Sequence, residues 1–164
     1  MGERLLRAIP RSCWTWNYTV VDEAAPVARI ETSWFRGRVT LTVLGTPYRV
    51  YRDRARRNAC VLESGGAVMA RATPPDNLPR TFAIEHAAGW LTVRGKSRAG
   101  RDFVLVADGQ EVGTIQPEGW FNRRVRARVP DDLPLPLGVF CIWLVLRIWR
   151  EEDDTIDHPP MHFE

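Results

Sequence analysis

From Trp14 onward, apolar and polar residues alternate with a period of two. Trp14, Trp16, Tyr18 and Val20 are interleaved with Thr15, Asn17 and Thr19, and Ala28, Ile30, Thr32 and Trp34 with Arg29, Glu31 and Ser33. Val39, Leu41 and Val43 alternate with Arg38, Thr40 and Thr42. Successive side chains of a strand point to opposite faces, so this spacing predicts strands with one buried and one wet face. Runs of the same character at 48–52, 59–63, 67–71, 80–86, 90–94, 102–107, 111–116 and 124–129 bring the total to about eleven strands. Gly45-Thr46-Pro47, Ser64-Gly65-Gly66, Ala87-Ala88-Gly89 and Asp108-Gly109 separate them as tight turns, which predicts antiparallel neighbours. Only 73–79 and 117–122 read as longer connections.

The pattern changes after residue 130. Asp131 and Asp132 can cap a helix, Pro136 suits a first turn, and 137–149 is apolar without a polar face, closing on Arg147 and Arg150. A helix apolar all round is either a membrane span or deeply buried. The uncharged stretch gives about 14 helical residues, or roughly 21 Å, where a bilayer core needs about 20 residues. The expectation is therefore a buried core helix over 135–150, carrying Phe140, Trp143, Leu144 and Trp149, and no transmembrane span.

Something must surround such a helix. About eleven strands of about seven residues, each some 23 Å long, close into a barrel too wide for its own side chains to fill. The helix matches that lumen in length and polarity, and closure removes exposed strand edges. The expected fold is mainly β: a closed antiparallel barrel of about twelve strands enclosing one C-terminal hydrophobic helix. Residues 1–13 form an N-terminal segment, 14–150 the domain, and 151–164 an acidic, flexible tail.

Composition fits one domain. The 164 residues are 45% hydrophobic and 26% charged, and roughly 70% of the unfolded surface of such a chain can be buried. Lys96 is the only lysine among 23 basic residues, which outnumber 20 acidic ones. Guanidinium suits bidentate phosphate or carboxylate contacts, although solvated arginines serve solubility equally well. Cys13, Cys60 and Cys141 lack metal or disulfide spacing, which suits a reducing cytoplasmic setting.

A meander of short strands followed by the terminal stretch Leu135-Pro136-Leu137-Gly138-Val139-Phe140-Cys141-Ile142-Trp143-Leu144-Val145-Leu146-Arg147-Ile148-Trp149-Arg150 resembles the tubby C-terminal-like superfamily, which includes phospholipid scramblases and LURP-one-related proteins. The resemblance covers roughly 14–150. It implies a twelve-stranded barrel around a hydrophobic helix, a cytoplasmic and sometimes membrane-peripheral setting, phosphoinositide or membrane-surface binding, and no enzyme. The scramblase-type calcium loop would fall at Pro130-Asp131-Asp132-Leu133-Pro134, which has no spaced series of acidic ligands.

The candidate chemistry is arginine chemistry. Arg124, Arg126 and Arg128, next to Arg123, alternate with Val125, Ala127 and Val129, so a strand would present guanidiniums about 7 Å apart on one face. They could grip phosphates or pair with acids on neighbouring strands. Two further clusters are Arg52, Arg54, Arg56 and Arg57, and Arg94, Lys96, Arg98 and Arg101. If they meet in space, an anionic phospholipid site follows; otherwise the chain reads as a module for a protein partner. No nucleic-acid motif, catalytic motif or cofactor signature is present. His86 shares strand parity with Phe82 and Ile84 and reads as a core or rim residue. Asp157, His158, His162 and Glu164 could bind a metal, but Pro159 and Pro160 prevent a helical pair of histidines. Trp14, Trp16 and Trp34 could wall a ligand, and first form a core.

Overall fold

The computed structural model describes residues 2–12, 15–33, 38–119 and 122–157. Twelve strands follow one another: β1 (Glu3–Pro10), β2 (Tyr18–Asp22), β3 (Ala25–Ser33), β4 (Arg38–Val43), β5 (Thr46–Asp53), β6 (Ala59–Ser64), β7 (Ala67–Thr73), β8 (Thr81–His86), β9 (Gly89–Gly95), β10 (Phe103–Ala107), β11 (Gln110–Pro117) and β12 (Val125–Pro130). One helix, α1 (Leu135–Asp157), ends the described chain. Each strand pairs antiparallel with its sequence neighbours, and β1 pairs with β12, which closes the barrel.

The N-terminal segment is therefore part of the fold. In β1, Leu6 and Ala8 are fully buried, and Leu6 lies opposite Ala127 on β12 and Asp22 on β2. The next strand begins at Tyr18. Trp14 and Trp34 lie outside the described residues, as do His158, His162 and Glu164.

Turn chemistry sets the barrel's polarity. The pairs Asp22 with Ala25, Val43 with Thr46, Ser64 with Ala67, His86 with Gly89 and Ala107 with Gln110 leave two residues in each even-to-odd connection. Leu44-Gly45, Gly65-Gly66 and Asp108-Gly109 all have positive φ, as a type I′ hairpin requires. In an antiparallel meander these connections share one end, the turn rim. The described residues of the longer connections, 11–12, 15–17, 54–58, 74–80, 96–102, 118–119 and 122–124, lie at the other, the loop rim.

The helix enters at the turn rim. Asp131 and Asp132 lie in a turn ahead of it and not in its first turn; Leu137 and Gly138 donate their N–H groups to the Pro134 carbonyl at 3.0 and 3.1 Å. Val139, Phe140, Ile142, Leu144 and Val145 have no exposure, each worth roughly 1–3 kcal/mol of apolar burial. They meet inward rows such as Val20, Ile30, Leu41, Leu62, Ile84, Leu105 and Ile115, all in one continuous core. Trp143 is the exception among the expected core residues. It is half-buried, and with Arg147 and Arg150 it forms a partly open stripe at helical spacing.

The extent of the helix differs from expectation. The helix continues through the acidic residues to Asp157, so the described part of the expected tail, 151–157, is helical. No described helix is long and apolar enough to cross a membrane.

Candidate functional site

The arginine clusters gather at the loop rim. Arg52 is the penultimate residue of β5, and Arg54, Arg56 and Arg57 follow the strand; Arg94 is the penultimate residue of β9, with Lys96, Arg98 and Arg101 in the next connection; Arg123 and Arg124 precede β12. Arg80, Arg147 and Arg150 join them from the β7–β8 connection and the helix. The turn rim carries Asp22, Glu23, Asp108, Glu111, Asp131 and Asp132, against Arg4 and Arg128. The loop rim also carries Asp53, Asp76, Asp102, Glu118 and the acids at 151–154, but basic residues outnumber them there, while acids outnumber basic residues at the turn rim; such a separation favours anions at the loop rim.

Local bonds hold these loops in place. Asn17 accepts the Thr32 N–H on its side-chain oxygen at 2.9 Å, which anchors the connection 11–17 to β3. Asp53 accepts the Ala55 N–H at 3.1 Å and an Arg71 N–H at 2.8 Å, and Arg57 pairs with Asp76 at 2.9 Å. Arg71 is the first cause of the lowered Asp53 carboxyl pKa. Arg80 donates to the carbonyls of Ser97 and Gly100, binding the 74–80 and 96–102 connections to each other.

A cleft of about 620 Å³ opens beside the helix on this rim. Val39, Val50, Leu146 and Trp143 supply its apolar surface, and Arg38, Arg52, Arg54, Arg147 and Arg150 its charge. Arg52 stands opposite Cys60 in the ladder, with the inward parity of Val50, so its side chain has the parity of the lumen. Among the described residues, no ion pair engages Arg38, Arg52 or Arg54. Trp16 is half-buried at the cleft wall, with the guanidinium carbons of Arg123 and Arg150 at 4.9 and 6.0 Å from its ring centre. Arg147 lies 5.8 Å from the Trp143 ring and donates to Cys60 Sγ at 2.5 Å.

Two acids reach the same cleft, Glu151 and Asp154. Loss of solvation raises the Glu151 carboxyl above its ordinary pKa, against the opposing pull of Arg52 and Arg150. The buried Cys60 thiol is pushed up to about 12 by burial, as is Cys141. Neither supplies a thiolate nucleophile at neutral pH.

The stripe on β12 is aligned as expected: Arg124, Arg126 and Arg128 are exposed and alternate with buried Val125, Ala127 and Val129. It does not lie across the rim. It descends the outer wall, so Arg126 and Arg128 leave the loop end; Arg126 is 3.8 Å from Glu118, which also binds Arg7 at 2.7 Å. Arg94, Lys96 and Arg98 are exposed, and no ion pair engages them among the described residues.

Residues absent from the sequence-based site are Arg80, Arg147, Arg150, Arg38 and Trp143. For Arg80 the signal that could have found it is the alternation of two-residue turns with longer connections; Arg147, Arg150 and Trp143 lie on the helix, where no such signal applies. In a meander, that alternation sends every longer connection to one end. His86 is half-buried at the turn rim, away from this chemistry. No family model, curated protein or solved structure matches this chain.

Proposed function

We propose that this protein is a non-enzymatic, membrane-peripheral binding module whose loop rim engages anionic phospholipid headgroups. The observation that carries the reading is the gathering of arginine clusters from separate parts of the chain on one rim, opposite an acidic one. The cleft adds an apolar wall beside Arg38, Arg52 and Arg54, which no ion pair engages among the described residues, and this suits a headgroup attached to a hydrophobic body. A barrel around a terminal helix is also the layout that the resemblance to tubby-like proteins implies, and membership of that superfamily and a cytoplasmic setting are parts of the proposal.

The test is co-sedimentation with vesicles of phosphatidylcholine alone or mixed with phosphatidylserine or phosphoinositide. Each basic residue near such a surface is worth about 1 kcal/mol, so Arg94→Ala/Lys96→Ala/Arg98→Ala should weaken binding by roughly a hundredfold. Wild-type protein that ignores acidic vesicles at low salt sinks the reading. A second reading, a module for a protein partner, draws support from the opposite end: Leu44 is 72% and Trp90 62% exposed near the turn rim. That reading expects Trp90→Ala, and not the arginine variants, to abolish partner capture.

A further inference from the structure

The helix end is built against its own dipole. Glu151, Glu152, Asp153 and Asp154 follow the last apolar turn, and the final turn has no basic residue, so negative charge sits at the negative end. Beyond the lumen, this segment has few apolar contacts of its own; Ile156 is 77% exposed. What offsets the repulsion is the rim. Glu152 accepts from Arg80 at 2.7 Å, Asp153 from Arg101 at 3.2 Å, and Glu151 from Arg147 at 3.0 Å, while Arg52 acts electrostatically on Glu151. The partners come from the β7–β8 and β9–β10 connections, from β5 and from the helix, so they share the rim with Arg94, Lys96 and Arg98 and would add to them if the acids let go.

We infer that the acidic end of α1 is an internal competitor for the rim, held on its arginines until a phosphate-rich membrane surface displaces it. The inference rests on the headgroup reading and adds regulation to it. The segment has two arrangements with one set of partners. Bound to Arg80 and Arg101, residues 151–157 stay helical; with those arginines turned to lipid phosphates, the end loses its counter-charges and frays. A ligand shifts such an equilibrium only through its different affinity for the two states, and here the difference is the freed guanidiniums.

The experiment compares wild type, Glu152→Gln/Asp153→Gln and Glu85→Gln/Glu111→Gln. The last pair removes the same charge from exposed sites towards the turn rim. On phosphatidylcholine vesicles containing phosphatidylserine, the helix-end variant should bind roughly thirtyfold tighter than wild type, from two arginines released to the surface, and the turn-rim variant should not. Equal gains in both variants, or no gain in either, overturn the competition while leaving headgroup binding intact. If nothing binds, the headgroup reading falls and takes this inference with it. Should the helix-end variant fail to fold, hydrogen exchange on wild type decides. Amides of 151–157 should exchange faster when acidic vesicles are added; unchanged or slower exchange overturns the proposal. Inorganic phosphate in place of vesicles should leave that exchange unchanged, and equal loosening by it overturns the assignment to a membrane surface.

Discussion

Replacing Arg80 tests how the loop rim is held together. Its side chain is only 12% exposed. One nitrogen meets Glu152 at 2.7 Å, another the Ser97 carbonyl at 2.9 Å and the third the Gly100 carbonyl, while the guanidinium carbon lies 4.9 Å from the centre of the Phe103 ring. Glu152 is 42% exposed, so solvent screens the ion pair to about 1 kcal/mol. The carbonyl bonds can be replaced by water and add about 1 kcal/mol, and the ring contact adds about 0.5–1 kcal/mol. Arg80→Ala should therefore cost about 2–3 kcal/mol, or roughly 5–10 °C in Tm for a domain of this size. Backbone geometry supplies an internal control. Arg80 has φ of 59°, a conformation that costs a residue with a Cβ about 1 kcal/mol and glycine almost nothing. Arg80→Gly should accordingly be about 1 kcal/mol less damaging than Arg80→Ala. Calorimetry with hydrogen exchange reads both effects, and amides of 96–102 should lose protection in each variant. A melting temperature unchanged in Arg80→Ala, with 96–102 still protected, would refute the reasoning.

Three further outcomes follow from the core and the ladder. Leu144→Asp places an unpaired carboxylate at a site with no exposure, which costs several kcal/mol and should leave no cooperative urea transition, whereas Leu144→Met should lose less than about 1.5 kcal/mol. A Cβ on Gly113 would run into the Arg128 carbonyl and lie 3.0 Å from Leu105 Cδ1, so Gly113→Ala should lower stability by about 1–3 kcal/mol in urea titration; a neutral result would mean that β11 shifts freely. The Tyr18 phenol is pushed up from 10.0 to about 12, first by burial and against Arg123 and Arg101. Because the fold favours the neutral form, its contribution is complete below pH 10 and is lost as pH rises through 12. Tyr18→Phe should flatten that alkaline decline in the urea midpoint, and an unchanged profile would remove Tyr18 as its source.

The strands and the helix were legible because their causes are local. Period-two alternation predicts half-buried strands, and an apolar run too short for a bilayer implies an enclosing wall. The first strand was hidden because adjacent Leu5 and Leu6 break the alternation; only pairing with β12 and β2 buries Leu6 while Leu5 stays 42% exposed. The helical state of 151–157 was hidden for the opposite reason. Its local sequence disfavours the end of a helix, and its support comes from Arg80 and Arg101, which are 72 and 52 positions away from their partners. Trp143 fitted the apolar pattern yet faces the cleft, since period alone does not reveal which stripe of a core helix meets the open mouth. Alignment of the β12 arginines was readable from parity, but their direction relative to the rim needed the barrel's closure.

That closure carries a consequence for assembly. The seam joins residues 3–8 to 125–130, and the element that fills the lumen comes after every strand. A chain emerging from a ribosome therefore exposes the apolar faces of its hairpins while both the last strand and the core they will cover are still unmade. Hairpins can form early, but the decisive contacts have the greatest sequence separation, which is slow and leaves sticky intermediates. The helix acts as the late mandrel on which a waiting sheet is rolled, and interrupted synthesis yields a ribbon with nothing to wrap.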